Sequence, residues 1–294
     1  MKKIFCLFIS LSCFCTIPAR ADGDGSIASL NIPADPEILV MGHTRNNIAS
    51  VALSDKKFDG GLSYTSWNVY SDIRQLPALS LQLHSGKWGF SLQAKSFVSS
   101  AFALMDEEGK ENGSFRPYDA AMSFGAAYRI GFGFAFGVNV KGIYSTIYPE
   151  YKATAVAGDL YLSWQSKFLT ATAGLDNLGT PVRYAEGAKA DALPMHARIG
   201  VDLRPVKGLH IAAESDCLLN NGGLSLQAAA QYTLLGVATF RAGYHYSLDE
   251  KAALPSYASA GVAVNLFGVH LSGTYLFGSE ALSNSFSIGI GYSF

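Results

Sequence analysis

From about residue 61 to its end the chain alternates. In the final segment Phe286, Ile288, Ile290, Tyr292 and Phe294 fall on one face of an extended backbone, and Ser285, Ser287, Gly289, Gly291 and Ser293 fall on the other. Period two is the signature of a β-strand, whose successive side chains point to opposite faces. Trp88, Phe90, Leu92 and Ala94 alternate in the same way with Gly89, Ser91, Gln93 and Lys95. Phe132, Phe134, Phe136, Val138 and Val140 alternate with Gly133, Ala135, Gly137, Asn139 and Lys141. An amphipathic helix, with its period of about 3.6, does not produce such rows. Large apolar residues on one face and small or polar ones on the other are what the wall of a membrane barrel needs, facing lipid and lumen respectively.

Extended along the chain, the pattern predicts fourteen strands, near residues 61–70, 78–85, 87–97, 119–130, 132–146, 153–166, 169–178, 193–204, 209–218, 223–235, 237–247, 256–266, 269–278 and 283–294. An even count suits a single-chain bacterial barrel with both ends in the periplasm. The connections add a second signal. Gly86, Gly131, residues 167–168, 205–208, Gly236 and 267–268 are tight, whereas residues 98–118, 147–152, 179–192 and 248–255 are longer. Short periplasmic turns alternating with longer outer loops belong to outer-membrane barrels; a soluble sandwich or propeller predicts no such alternation. The expected fold is therefore all-β, a transmembrane antiparallel up-and-down barrel of about fourteen strands. No proline interrupts the interior of an expected strand. One would matter, because a broken ladder opens a gate in the wall.

Residues 22–59 do not alternate. They contain Pro33 and Pro36 and a mildly helical stretch over 35–50, and are expected to plug the lumen or dock at the periplasmic mouth. The chain is thus divided into 1–21 as signal peptide, 22–59 as N-terminal plug or periplasmic segment, and 60–294 as outer-membrane β-barrel. The signal is read from Lys2 and Lys3, the apolar run 4–16 and the cleavage-site pattern Ala19-Arg20-Ala21. Three of four cysteines lie in it, which leaves Cys217 alone in the mature chain and no internal disulfide.

Composition narrows the picture. The chain is 49% hydrophobic and only 15% charged, against about 25% charged in an ordinary soluble domain, yet after the signal it has no apolar run long enough for a spanning helix. A net charge of -1 gives no sign of a nucleic-acid partner.

Inward positions assigned by parity gather charge: His196, Arg198, Asp202, Glu214, Arg241 and His245 form a candidate polar cluster in the lumen, alongside Lys141, Asp159, His210, Gln227, Gln231 and His270. With residues 205–208 as the hairpin turn, Arg198 and Glu214 are expected to be cross-strand neighbours or nearly so. Such a cluster is either a polar ligand or ion path, or a charge-satisfying network, since buried charges must be paired in any case. The acidic and basic loop 98–118, with Asp106, Glu107, Glu108, Lys110 and Arg116, is the candidate outer contact. No G-x-S-x-G or H-E-x-x-H occurs and the six histidines are scattered, so no catalytic residue, metal ligand or cofactor site is expected.

Several stretches resemble the PorV/PorQ-like outer-membrane proteins of the Bacteroidota, which are similar to the FadL fatty-acid transporters in having fourteen strands. They are the leader LNIPADPEILVMGHTRNNIASVAL, SYTSWNVYSD after it, AGLDNLGTPV at 173–182, FRAGYHYS at 240–247, YASAGVAVNLFGVHLSGTYLF at 257–277 and FSIGIGYSF at the end. The leader departs from the family, with Gly42-His43 where Gly-Gly is usual. The resemblance implies a non-enzymatic accessory or cargo-handling role in type IX protein secretion, with secretion-system subunits or secreted cargo as partners. The alternative is a FadL-like transporter of hydrophobic compounds. Either protein would be exported to the outer membrane, surrounded by its lipid and inserted by the barrel-assembly machinery, for which Phe286, Ile288, Ile290, Tyr292 and Phe294 are the candidate assembly strand.

Overall fold

The computed structural model describes residues 27–294 apart from 70, 71, 107, 279–281 and 283. The signal-peptide reading and Glu107 lie outside the described residues.

Fourteen antiparallel strands close into one barrel. They are β1 (Phe58–Val69), β2 (Asp72–Ser85), β3 (Trp88–Val98), β6 (Tyr118–Gly131), β7 (Phe134–Thr146), β8 (Lys152–Gln165), β9 (Leu169–Gly179), β10 (His196–Leu203), β11 (Leu209–Leu218), β12 (Gly223–Leu234), β13 (Ala238–Ser247), β14 (Tyr257–Leu266), β15 (Val269–Gly278) and β16 (Ser285–Ser293). Two further strands, β4 (Phe102–Met105) and β5 (Glu111–Phe115), pair only with each other. They form a hairpin within the segment 98–118, for which the alternating pattern predicts only a loop. Phe102 and Phe115 pack edge to face at 5.7 Å, and Tyr148 of the neighbouring loop lies 6.3 Å from Phe102. This small aromatic cluster, invisible to a period-two scan over so short a run, holds the hairpin against the barrel rim.

The barrel closes through β1 and β16, with Gly60 facing Tyr292 and Tyr64 facing Ile288. The lipid-facing rows stay exposed, as an apolar face does when its solvent is hydrocarbon: Phe124 is 60% exposed and Ile290 53%. Phe286, Ile288, Tyr292 and Phe294 stand on the same outward row.

Three short turns share an unusual chemistry. Phe132-Gly133, Leu235-Gly236 and Phe267-Gly268 each have both central residues at positive φ, with 50°, 52° and 52° at the bulky residue. That is the conformation of a two-residue hairpin whose twist matches the strands, normally filled by Asn-Gly or Gly-Gly. Here a fully exposed apolar side chain occupies the strained position.

Two strand boundaries correct the sequence reading. β10 is shorter than expected, beginning at His196 because residues 180–195 turn inward, where Val182 and Leu193 are buried. β2 begins at Asp72 rather than near 78, so Pro77 lies inside a strand after all.

Residues 27–57 run down the interior. A 3₁₀ turn (Ala28–Asn31) near the long-loop end leads to α1 (Ile38–Met41) and then α2 (Ile48–Leu53) near the short-turn end. Asn47 caps α2 by accepting the N–H of Ser50 at 3.1 Å. The helix buries Ile48, Ala49, Val51, Ala52 and Leu53 against Ala127, Ala135 and Tyr161 of the wall. Small inward residues make this approach possible. A Cβ on Gly89 would lie 2.6 Å from the Ala52 nitrogen, and one on Gly137 would lie 2.7 Å from Ile48 Cγ2. The small-residue rows of the alternating pattern are therefore the bed of a helix. Gly89→Val is expected to displace α2 and weaken plug docking by about 1–3 kcal/mol, the usual cost of overpacking. The check is protease protection of the plug in reconstituted protein, with barrel folding monitored separately by heat-modifiable gel migration.

Candidate functional site in the plugged lumen

The strands aim the six expected lumenal side chains inward, and the plug sorts them into separate groups. Towards the long-loop end, the buried Arg198 pairs with Asp176 on β9 and, through Nε at 3.1 Å, with Asp216 on β11. His196 beside it is fully buried, with Nδ1 2.8 Å from Asp216 Oδ1 and Nε2 2.8 Å from Asn31 Oδ1 of the plug. In the ladder Arg198 faces Asp216 and Glu214 faces Gly200, so the expected Arg198–Glu214 neighbourship is offset by two residues. Glu214 instead accepts from the Thr44 backbone N–H at 2.6 Å and from its hydroxyl at 2.8 Å.

Nearer the short-turn end the pairing runs through the plug. Glu37 accepts from Arg241 Nη2 and Arg45 Nε, each at 2.8 Å. Arg45 also pairs with Asp202, which sits 3.0 Å from His210 Nδ1. Burial acts to raise the Glu37 carboxyl, but Arg45 and Arg241 outweigh it and hold it at about 2. Asp35 is pushed up to about 6 by burial and by the nearby charge of Glu37, while its Oδ1 accepts the N–H groups of Glu37 and Ile38. Backbone is tied as well. Lys95 Nζ donates to the carbonyls of Ser29, Leu30 and Ile32 at 3.1–3.3 Å, and Gln227 Nε2 donates to those of Leu39 and Val40.

The lumenal residues missed by sequence were Asp176 and Asp216, which share inward parity with Gly174 and Glu214, and the plug's Glu37 and Arg45, for which no periodic signal existed. The outer-loop residues form no site among the described residues. Asp106 shapes the β4–β5 turn by accepting the Lys110 N–H at 2.8 Å, and Glu108, Lys110 and Arg116 are exposed.

A second, apolar group joins the earlier part of the plug to the wall. Ile32 and Leu39 pack with Trp67, Leu76, Tyr257, Leu276 and Leu282, and with the half-buried Phe97 and Leu254. Trp67 and Tyr257 meet edge to face at 6.2 Å. Directly outside this cluster two rungs of the β2–β3 ladder are missing, with the register the same on either side. Gln75 pairs with Val98 and Ala78 with Lys95, but Leu76 and Pro77 pair with neither Phe97 nor Ser96. Pro77 has no N–H to give to a ladder. Leu76 points inward and is fully buried, and Pro77 faces outward.

The fold and lumen thus define a closed, plugged barrel of fourteen antiparallel strands. Among solved structures, the chain is similar to the CymD monoaromatic hydrocarbon channel, with 14% identity and a TM-score of 0.59 over 94% of this chain and 98% of that one. It is similar also to the toluene transporter TodX of Pseudomonas putida, with 14% identity and a TM-score of 0.56 over 93% and 98%. Neither a protein-family model nor a curated protein matches the sequence. The likeness in fold is to hydrocarbon channels, and nothing in these comparisons bears on type IX secretion.

Proposed function

We propose that this protein is a FadL-like transporter that admits small hydrophobic compounds through the outer membrane and releases them sideways through its wall. The observation that carries the reading is the gap in the β2–β3 ladder at Leu76 and Pro77, backed on the lumen side by an aromatic and aliphatic cluster. On this reading an apolar solute that reaches the cluster from the long-loop end passes beside Pro77, where the wall lacks a ladder hydrogen bond, into the hydrocarbon core and need not cross a polar pore. The plug, tied to wall side chains on several strands, closes the straight aqueous route. The recorded folds of hydrocarbon channels support the reading by analogy of architecture.

Pro77→Val returns a ladder donor to β2 and is expected to slow toluene uptake into reconstituted vesicles about tenfold, the change that a barrier rise of ~1.4 kcal/mol produces. Unchanged uptake in a correctly folded variant removes the wall gap from the route. If, in addition, the native protein crosslinks to secretion-machinery subunits and carries no apolar ligand, the accessory role in type IX secretion replaces the transporter.

A further inference from the structure

Beside the apolar cluster lies a cavity of about 10 Å³, walled by Glu214, Gln227, His245 and Tyr257, by Asn31 and His43 of the plug, and roofed by Leu254 of the loop 248–256. That volume admits one water-sized group. Its polar walls are mostly spoken for. Asn31 meets His196, Glu214 takes both Thr44 donors, Gln227 gives to two plug carbonyls, and Asp216, also in the wall, pairs with His196 and Arg198. His245 is the exception: it is 6% exposed, and although its ring is within hydrogen-bonding reach of the Leu254 backbone, its Nε2 has no hydrogen-bond partner. A buried polar atom left without a partner costs about 1–3 kcal/mol, so its presence in a cavity wall points to something that occupies the cavity.

The surroundings restrict what that is. The His245 ring stacks on Tyr257 with centroids 5.0 Å apart and planes 11° apart, and Tyr257 is itself part of the apolar cluster behind the wall gap. Leu254 belongs to both places, lining the cavity and packing on the cluster. One small polar position therefore adjoins one apolar position, the latter now filled by a loop leucine. Two carboxylates, Glu214 and Asp216, line the cavity, and neither lysine nor arginine does among its described lining residues. An anionic head group meets like charge there and has two oxygens for a one-oxygen space. A bare hydrocarbon leaves Nε2 unsatisfied.

We propose that this is a recognition site for an apolar molecule carrying a single neutral hydroxyl, an alcohol or phenol, whose oxygen meets His245 Nε2 and whose hydrocarbon body takes the place of Leu254 on the Trp67–Tyr257 cluster. The inference rests on the transporter reading and sharpens it, assigning selectivity among apolar solutes to a neutral hydroxyl. A hydroxyl can donate to or accept from imidazole, so the site works with either tautomer.

The test uses three probes with the same ring, toluene, 4-methylphenol and 4-methylbenzoate, titrated against the full mature protein in lipid nanodiscs with binding to empty nanodiscs subtracted. The phenol is expected to bind about tenfold more tightly than either of the others, the yield of one well-made hydrogen bond. In His245→Phe the phenol-to-toluene ratio is expected to fall to about one, and in His245→Gln, which keeps a donor and an acceptor, the preference is expected to persist. Equal binding of phenol and toluene by the native protein, or a ratio that His245→Phe does not move, overturns the site while leaving the transporter intact. Tight binding of the benzoate overturns the exclusion of anions. Failure of all three probes to bind removes both readings and leaves the cavity as the seat of a buried water.

Discussion

Removing residues 27–53 is expected to convert a closed barrel into a conducting one. The described plug is the material that fills the interior, and a fourteen-stranded barrel lies between the side-chain-filled eight-stranded type and the open sixteen-stranded pores. Its loss exposes Lys95, Arg198, Asp202, Glu214 and Arg241 to one another across a water-filled space, where charges are hydrated at little cost. Planar-bilayer recordings should show discrete conductance steps from the deletion protein and none from the intact one. Heat-modifiable migration on gels establishes that the deleted protein still forms a barrel. A silent but folded deletion variant would mean that the inward-turned segment 180–195 and the loop 248–256 close the lumen, and that the plug serves only to position ligand.

Arg198→Met should cause the largest loss of stability of any single substitution in the lumen. The guanidinium is buried between Asp176 and Asp216, and Tyr161 donates to Asp176 beside it. Removing one member of a buried ion network leaves uncompensated charge, at a typical cost of about 3–5 kcal/mol. Urea unfolding of the barrel in vesicles, followed by linear extrapolation, reads the difference. The double variant Arg198→Met with Asp216→Asn should recover part of the loss, since one of the stranded charges is gone. A loss below about 1 kcal/mol would place the cluster in the hydrated regime of surface pairs and would argue that water reaches it past the plug.

The barrel was legible because its signal is repeated on fourteen strands and because the lipid-facing row leaves large apolar residues in register, as in β3 and β16. Strand ends were less so. β2 was expected only over 78–85 and begins at Asp72, because a proline where ladder rungs are missing is tolerated within a strand. That one misreading hid the feature on which the transport proposal now depends. Lumenal parity placed Arg198, Asp202, Glu214 and His245 on inward rows, but not what each one meets, because the partners Asn31, Glu37, Thr44 and Arg45 come from a segment with no period at all. The β4–β5 hairpin escaped for a similar reason. Its five-residue strand Glu111–Phe115 is mostly polar, and two phenylalanines and a distant tyrosine carry its packing.

The turns at Phe132, Leu235 and Phe267 have a consequence for how the barrel sits in its bilayer. Each holds a bulky apolar side chain in a backbone conformation that costs about 1–2 kcal/mol, which asparagine or glycine would relieve. At the short-turn rim, apolar tips of this kind dip towards the acyl boundary and resist displacement along the membrane normal. The opposite rim ends in longer loops, in which the charged Asp106, Glu108, Lys110 and Arg116 stand among exposed apolar residues such as Met105, Ile147 and Tyr151. Immersion depth is therefore set most sharply at the short-turn rim, and a thicker or thinner membrane is accommodated at the loop end, where longer segments and the β4–β5 hairpin mix charged with apolar residues.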